Sequence, residues 1–263
     1  MSKAEYDGAL LRSLAPELAA RTAFFERCQS TNDEARRLAR DGAADGTLVL
    51  TERQEAGRGR RGQAWHCPAG EGIACSLVIR PTEPAALWPR LALAAGLGVA
   101  EGLARLGVHA DLKWPNDLQI QGRKLGGILT EVAGGEAVIC GVGLNVSVTD
   151  FPTGLQTPAT SLLLATGRLF DREEVLAVVV PAVLQRCREI GVGFSELCQA
   201  WSQRSSLNGE KVTLQTAAGG KTGTVTGIGS SGELLLETEQ GIESILQAEE
   251  VRLVGDAVAD TGG

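Results

Sequence analysis

Four short apolar segments crowd into the stretch from Asp111 to Asn145, and they leave the chain few folds to choose from. Asp111–Trp114, Asp117–Gln121, Leu125–Val132 and Ala137–Asn145 read as strands joined by connections of two to four residues. Parallel neighbours need a crossover of about a dozen residues or more, so such turns make antiparallel pairs. Gly134-Gly135 is a hairpin signal. Thr47–Thr51 and Ile73–Ile79 add two strands, the second ended by Pro81. Leu87–Leu106 reads as an Ala/Leu-rich helix, apolar enough to lie across a sheet, with Pro89 in its first turn. Residues 1–22 read as a leading helix. Thr31-Asn32-Asp33-Glu34 fits a capping box with Thr31 at the N-cap and Glu34 at N3, and Gly42 closes that helix. Asp171-Arg172-Glu173-Glu174 caps a helix reaching Ile190 with Pro181 as a kink inside it, and Gly193–Arg204 is another. The expected class is α+β, a mixed and largely antiparallel sheet backed by helices.

The texture changes near Leu207. KVTLQT, TGTVTGI, GELLLET, ESILQA and VRLV follow one another with glycine turns, which is the spacing of a small β-barrel. The expected division is a main domain over 1–206, a satellite barrel over 207–255 and a disordered tail over 256–263. At 263 residues with 43% hydrophobic content the chain can bury a core without staples. A net charge of -7 disfavours broad nucleic-acid binding through a basic surface. No apolar run approaches the ~18 residues of a membrane span, and the N-terminus lacks the apolar stretch of a signal peptide. The six cysteines form no C-x-x-C pair, which fits free thiols in a reducing cytoplasm. His66 and His109 have no cysteine partners at ligand spacing, so a zinc site is not expected, and His66 reads as a solvated loop residue.

Four segments can carry chemistry. Gln54 to Trp65 holds Gly57, Gly59 and Gly62 interleaved with Arg58, Arg60 and Arg61. Backbone free of side chains lets N–H groups approach an anion, and the arginines add forked, permanent charge. The loop is neither a Walker A loop nor a dinucleotide fingerprint, and a flexible RNA-contacting loop reads equally well from these residues alone. Lys113-Trp114-Pro115-Asn116-Asp117 places a cation and an acceptor around a kink, or is a plain surface turn. Lys124 precedes an apolar strand with Gly126 and Gly127, where backbone can approach a ligand; an edge-protecting lysine is the alternative. Gly141 to Asn145 is an apolar strand with one asparagine, which a turn or bulge would also explain.

Taken in order, these segments resemble one family. Ser30-Thr31-Asn32, Gly57 to Gly62, Lys113 to Asp117, Lys124 to Glu131 and Gly141 to Asn145 match the Ser-Thr-Asn, G-R-G-R-x-G, K-W-P-N-D, K-L-x-G-I-L-x-E and G-x-G-x-N pattern of the biotin protein ligases. The resemblance runs from about Gln29 to Val254 and includes an SH3-like C-terminal barrel on a class II synthetase-like core. It implies an ATP-dependent ligase that forms biotinyl-adenylate and passes biotin to a lysine of a biotin carboxyl carrier protein. It further implies that Ser30, Thr31, Asn32, Gln54, Arg58, Lys124, Gly126 and Gly127 bind biotin. Gly57, Arg58, Gly59, Arg60, Gly62, Trp65, Lys113, Asn116, Asp117 and Asn145 would meet the nucleotide, with Lys124, Arg58 and Arg60 catalytic. Mg²⁺ would arrive with ATP, and Asp117 is the single candidate protein ligand. Residues 1–29 leave no room for the helix-turn-helix of the repressor relatives, so ligation without DNA binding is expected; a homodimer stays open. The rivals are lipoate or octanoate transfer, which lacks the G-R-G-R-x-G loop, and an RNA-binding module.

Overall fold

The structure, a computed structural model, describes residues 6–255 except 135, 156 and 218, and for Glu250 the backbone alone. The expected hairpin residue Gly135 and the expected disordered tail lie outside the described residues. The leading helix is two short ones, α1 (Gly8–Leu14) and α2 (Pro16–Ala19), because Pro16 starts a new helix after Ala15. A strand follows that the sequence reading lacked, β1 (Thr22–Cys28). Its apolar alternation is weak because it is an edge strand, with Phe24 half exposed. Next come α3 (Thr31–Arg40), β2 (Leu48–Gln54) and β3 (Gly72–Ile79).

Pro89 is not in the first turn of an α-helix. It lies inside a 3₁₀ turn, Ala85–Arg90, and α4 begins only at Leu91 and runs to Arg105. Proline disfavours the α conformation in the residue before it, here Trp88, and so delays the helix. The antiparallel run then appears as β4 (Asp111–Lys113), β5 (Asp117–Ile120), β6 (Arg123–Val132) and β7 (Val138–Asn145). Short α5 (Leu162–Thr166), α6 (Arg172–Cys187) and α7 (Phe194–Gln203) complete the helices. The capping box of Asp171 and Glu174 is present on α6.

Seven strands form one sheet in the order β1-β2-β3-β7-β6-β5-β4. The β1–β2 pair is parallel and the other pairs are antiparallel. Strand β3 is buried along its whole length, which suits an apolar run with both faces covered. One face packs under α4 and α6; the other is covered by Ala35 and Ala39 of α3 against Val49, Val78 and Ile139. Helices α4 and α6 meet backbone to backbone: a Cβ at Gly98 would sit 2.6 Å from Val183 Cα, and one at Gly102 2.6 Å from Val179 Cα. Gly98→Ala is therefore expected to cost about 1–3 kcal/mol by overpacking, read as a lower urea midpoint. The open helical site Gly8, changed to Ala, should not move that midpoint downward.

The C-terminal strands β8 (Lys211–Thr216), β9 (Gly219–Ile228), β10 (Leu234–Thr238), β11 (Gly241–Ile245) and β12 (Glu250–Leu253) form a second, antiparallel sheet in the order β11-β10-β9-β8-β12. This matches the expected SH3-like unit. Its inward residues Val212, Leu214, Val225, Leu234 and Leu236 join the same buried cluster as the main sheet. All six cysteines are free, and burial raises the thiols of Cys28, Cys67, Cys75 and Cys198, Cys67 up to about 12. Among the described residues no helix is long and apolar enough to cross a membrane.

Candidate active site

The polar pocket starts at the head of α3. Ser30, not Thr31, is the N-cap, and its side chain caps nothing. Thr31 is the first helical residue, and its N–H and Oγ1 lie 2.8 and 3.1 Å from Gln54 Oε1, which occupies an otherwise unpaired helix N–H. Glu34 pairs with Arg37 instead of reaching back to a cap. Below this turn Ser76 Oγ lies 2.8 Å from Thr31 Oγ1 and 2.6 Å from Asn32 Oδ1. Asn32 Nδ2 donates to Glu131 Oε2 at 2.6 Å. Ser30, Thr31, Asn32 and Ser76 are all buried. A Cβ at Gly141 would lie 2.4 Å from Asn32 Oδ1, and one at Gly143 2.5 Å from the Trp65 ring. The two glycines on β7 thus make room for Asn32 and for the indole.

The loop above the pocket is folded back on itself. Arg58 bridges Ala64, Gly59 N–H donates to Gln63 O at 2.7 Å, and Trp65 N–H donates to Gly57 O at 2.9 Å. A Cβ at Gly57 would sit 2.8 Å from both Gln54 Nε2 and Trp65 O, so the root of the loop requires glycine. Gly62 has a positive φ of 75°. Each arginine holds a different element. Arg58 forks onto Asp33, with NH1 and NH2 at 2.9 and 2.7 Å from the two carboxylate oxygens. Arg60 donates to Asn116 Oδ1 at 3.2 Å and to Ala248 O at 3.3 Å, while Arg61 pairs with Glu249 at 2.9 Å. The Asp33 carboxyl is held below its usual range, chiefly by the hydrogen bond from Arg58. Burial pulls the Arg60 guanidinium down, and nearby Asp117 offsets part of that.

The third wall is the turn between β4 and β5 with the start of β6. Asn116 Nδ2 donates to Ile128 O at 3.0 Å, and Ile128 N–H donates to Asn116 O at 2.9 Å. Trp114 is buried, and its indole N–H donates to Gly232 O, in the turn between β9 and β10, at 3.0 Å. Lys113 stands opposite Asp117 in register. Lys124 Nζ lies 2.8 Å from Asp117 Oδ1, so Arg60, Asn116, Asp117 and Lys124 meet at one place. A Cβ at Gly127 would be 3.4 Å from Asp117 Oδ1, whereas one at Gly126 would strike Gly143 O at 2.4 Å. Gly127 therefore opens on this cluster and Gly126 serves strand pairing. The backbone of Lys124 binds Pro158 O and Thr160 N–H, and Asn145 Nδ2 donates to Thr160 O at 3.0 Å.

Two buried polar atoms here have no hydrogen-bond partner among the described residues, Asn145 Oδ1 and Trp65 Nε1. Asn145 is only 3% exposed, so its free acceptor is suited to a donor such as an exocyclic amine. His66 is exposed, as expected. No group of three or more His, Cys, Asp and Glu able to hold a metal occurs among the described residues. Ser76, Asp33, Glu131 and Thr160 belong to the site without having been singled out for it. Ser76 carried a signal, as a hydroxyl inside the apolar run of β3.

Residues 24–145 match the model of the biotin/lipoate A/B protein ligase family. The chain is 39% identical over 228 residues to the bifunctional ligase/repressor BirA of Bacillus spizizenii, covering 84% of this chain and 70% of that protein. It is 35% identical over 241 residues to the biotin–[acetyl-CoA-carboxylase] ligase of Paracoccus denitrificans, covering 86% and 98%. Among solved structures, the biotin protein ligase from Aquifex aeolicus in complex with biotin and ATP superposes with a TM-score of 0.81 at 30% identity, covering 89% of this chain and 99% of that one.

Proposed function

The chain belongs to the biotin/lipoate A/B protein ligase family, and it is a biotin protein ligase; we propose that its site joins the biotin carboxylate to the α-phosphate of ATP and then passes the biotinyl group to a carrier lysine. The observation that carries the assignment of the reacting centre is the meeting of Arg60 and Lys124 at Asn116 and Asp117. A carboxylate and a phosphate repel each other, and preorganised cations offset that repulsion where charge builds up.

In the first step a carboxylate oxygen attacks the α-phosphorus. A new C–O–P linkage forms, the bond to the β-phosphate breaks, and pyrophosphate leaves with the electron pair. Lys124, Arg60 and Lys113 face the charge; Asp117 fixes the Lys124 ammonium by their ion pair. In the second step the amine of the carrier lysine attacks the carbonyl carbon, the C–N bond forms, AMP leaves and the amine proton passes to solvent. Thr31, Asn32, Gln54, Ser30 and the backbone of Arg58, with Gly127, are assigned to the polar ring and walls around biotin, while Gly126, expected there too, is taken up by its close pairing with β7. Gly57, Gly59, Gly62, Trp65, Asn116 and Asn145 are assigned to the nucleotide, the free Asn145 acceptor suiting the adenine amino group. Mg²⁺ bound to the triphosphate would supply further charge neutralisation, with Asp117 the nearest candidate ligand.

The same proposal includes a biotin carboxyl carrier protein as acceptor, a cytoplasmic location, no DNA partner, and a division at 206/207 between the catalytic unit and the SH3-like unit. The oligomeric state, a homodimer included, is not assigned. The experiment is an intact-mass measurement of a purified carrier domain incubated with the protein, biotin and MgATP. One biotinyl group per carrier is expected. Modification with lipoate but not with biotin would transfer the chain to the rival branch of the family.

A further inference from the structure

We propose that Asp33 is a positioning residue that seats the glycine–arginine loop on α3, acting through Arg58. The inference rests on the ligase reading for its kinetic consequence, but its geometry stands apart from it. Arg58 and Asp33 form a parallel fork, with N–O distances of 2.9 and 2.7 Å. Such bidentate pairs fix orientation as well as contributing charge attraction. Asp33 lies in the first turn of α3, where the unpaired N–H groups favour a carboxylate. It is held from the far side too. Arg36 lies 3.0 Å from Asp33 and 3.3 Å from Glu131, and Glu131 in turn accepts from Asn32. An unbroken series of polar contacts thus runs from the loop through Arg58, Asp33, Arg36 and Glu131 to Asn32 and Ser76 on the pocket floor.

The three arginines divide the loop between them. Arg60 is the one that reaches the Lys124 side, and Arg61 leans on Glu249. Arg58 spends NH1 and NH2 on Asp33 at the other end. Its backbone bridges Ala64, so anchoring its side chain anchors both limbs of the loop at their root. The same helical turn that supplies Thr31 and Asn32 to the pocket therefore also holds the cover above it. An acyl-adenylate is a mixed anhydride that water destroys, and its lifetime depends on how long the cover stays down. Asp33 does not touch the reacting atoms; it acts on how long they remain enclosed.

The test is Asp33→Asn, which keeps the side chain's shape and removes its charge, alongside Asp33→Glu and the control Glu34→Gln on the same helix. Three quantities are measured: tryptic cleavage after Arg58, Arg60 and Arg61 in ligand-free protein, loss of preformed biotinyl-adenylate without carrier, and the KM for biotin against kcat for pyrophosphate release. Asp33→Asn should speed loop cleavage and adenylate loss by about 10-fold each, about the effect of one charge-assisted pair. With carrier protein saturating, so that transfer and not adenylate loss empties the site, it should raise KM for biotin while kcat stays within a factor of about two, and Asp33→Glu should recover much of both. Cleavage and adenylate loss equal to the parent's would overturn the proposal, as would equal changes in Glu34→Gln, which would reduce Asp33 to a helix stabiliser. Cleavage needs no substrate, so a protein that released no pyrophosphate would sink the ligase reading while leaving the loop contact decided.

Discussion

Lys124→Ala slows biotin-dependent pyrophosphate release by about 10²-fold or more while the protein stays folded. The fold should survive because the structural work of this residue is done by its backbone, which binds Pro158 O and Thr160 N–H whatever the side chain. Its ammonium is half-buried beside Asp117, and removing it leaves that carboxylate facing two incoming anions. Loss of the cation and exposure of the anion act in the same direction. Asp117→Asn should therefore slow the step less than Lys124→Ala, since the cation remains. The check is a pyrophosphate assay at saturating biotin and MgATP, with circular dichroism to confirm the fold. Near-parental release by Lys124→Ala would remove this lysine from the reacting centre.

Arg172→Ala has the largest expected effect on stability. Arg172 and Glu52 face each other at 2.9 and 3.2 Å and are 5% and 6% exposed at the side chain. The Tyr6 ring stacks over the guanidinium at 3.8 Å, and Glu52 also accepts the Tyr6 N–H. Truncating one partner of a buried pair strands the other charge away from water, which costs about 3–5 kcal/mol. For a chain of this size that lowers the melting temperature by on the order of 10 °C. Thermal unfolding followed by far-ultraviolet circular dichroism reads it directly. Replacing both partners, Arg172→Met with Glu52→Leu, should recover most of the loss, because no charge is then left unpaired. A shift of only a degree or two in Arg172→Ala would mean that water reaches Glu52.

The parts of this architecture that were legible in the sequence are those encoded by neighbours in the chain. The β4–β7 strands, the C-terminal strands and the capping box of α6 all rest on local alternation, glycine turns and a four-residue pattern. The glycine–arginine loop was legible for the same reason. Strand β1 escaped because an edge strand needs one apolar face only in part, and its outer residues stay exposed. The helix start was misplaced by one residue because Thr31 has a better partner in Gln54, 23 positions away, than in its own helix. The network under the pocket was hidden by distance along the chain: Ser76 meets Asn32 across 44 positions, and Asn32 meets Glu131 across 99. Local pattern also could not show that the arginines of the loop would find partners in α3, in the β4–β5 turn and in the segment between β11 and β12, the last 188 positions from Arg60. From residue types alone they read as three equivalent cations for a phosphate. Their partners make them distinct: Arg58 pairs with Asp33, Arg60 with Asn116 and Ala248, and Arg61 with Glu249.

Release of pyrophosphate from ATP in the absence of any carrier protein, with and without biotin, tests the central claim most directly. The convergence of Lys124 and Arg60 on one spot predicts that adding biotin produces a rapid burst approaching one pyrophosphate per site, followed by a slow phase set by loss of the enclosed adenylate. Without biotin no burst should occur, because the nucleophile is missing. Pyrophosphate formed at the same rate with and without biotin, or a burst that appears with lipoate and not with biotin, would contradict the account.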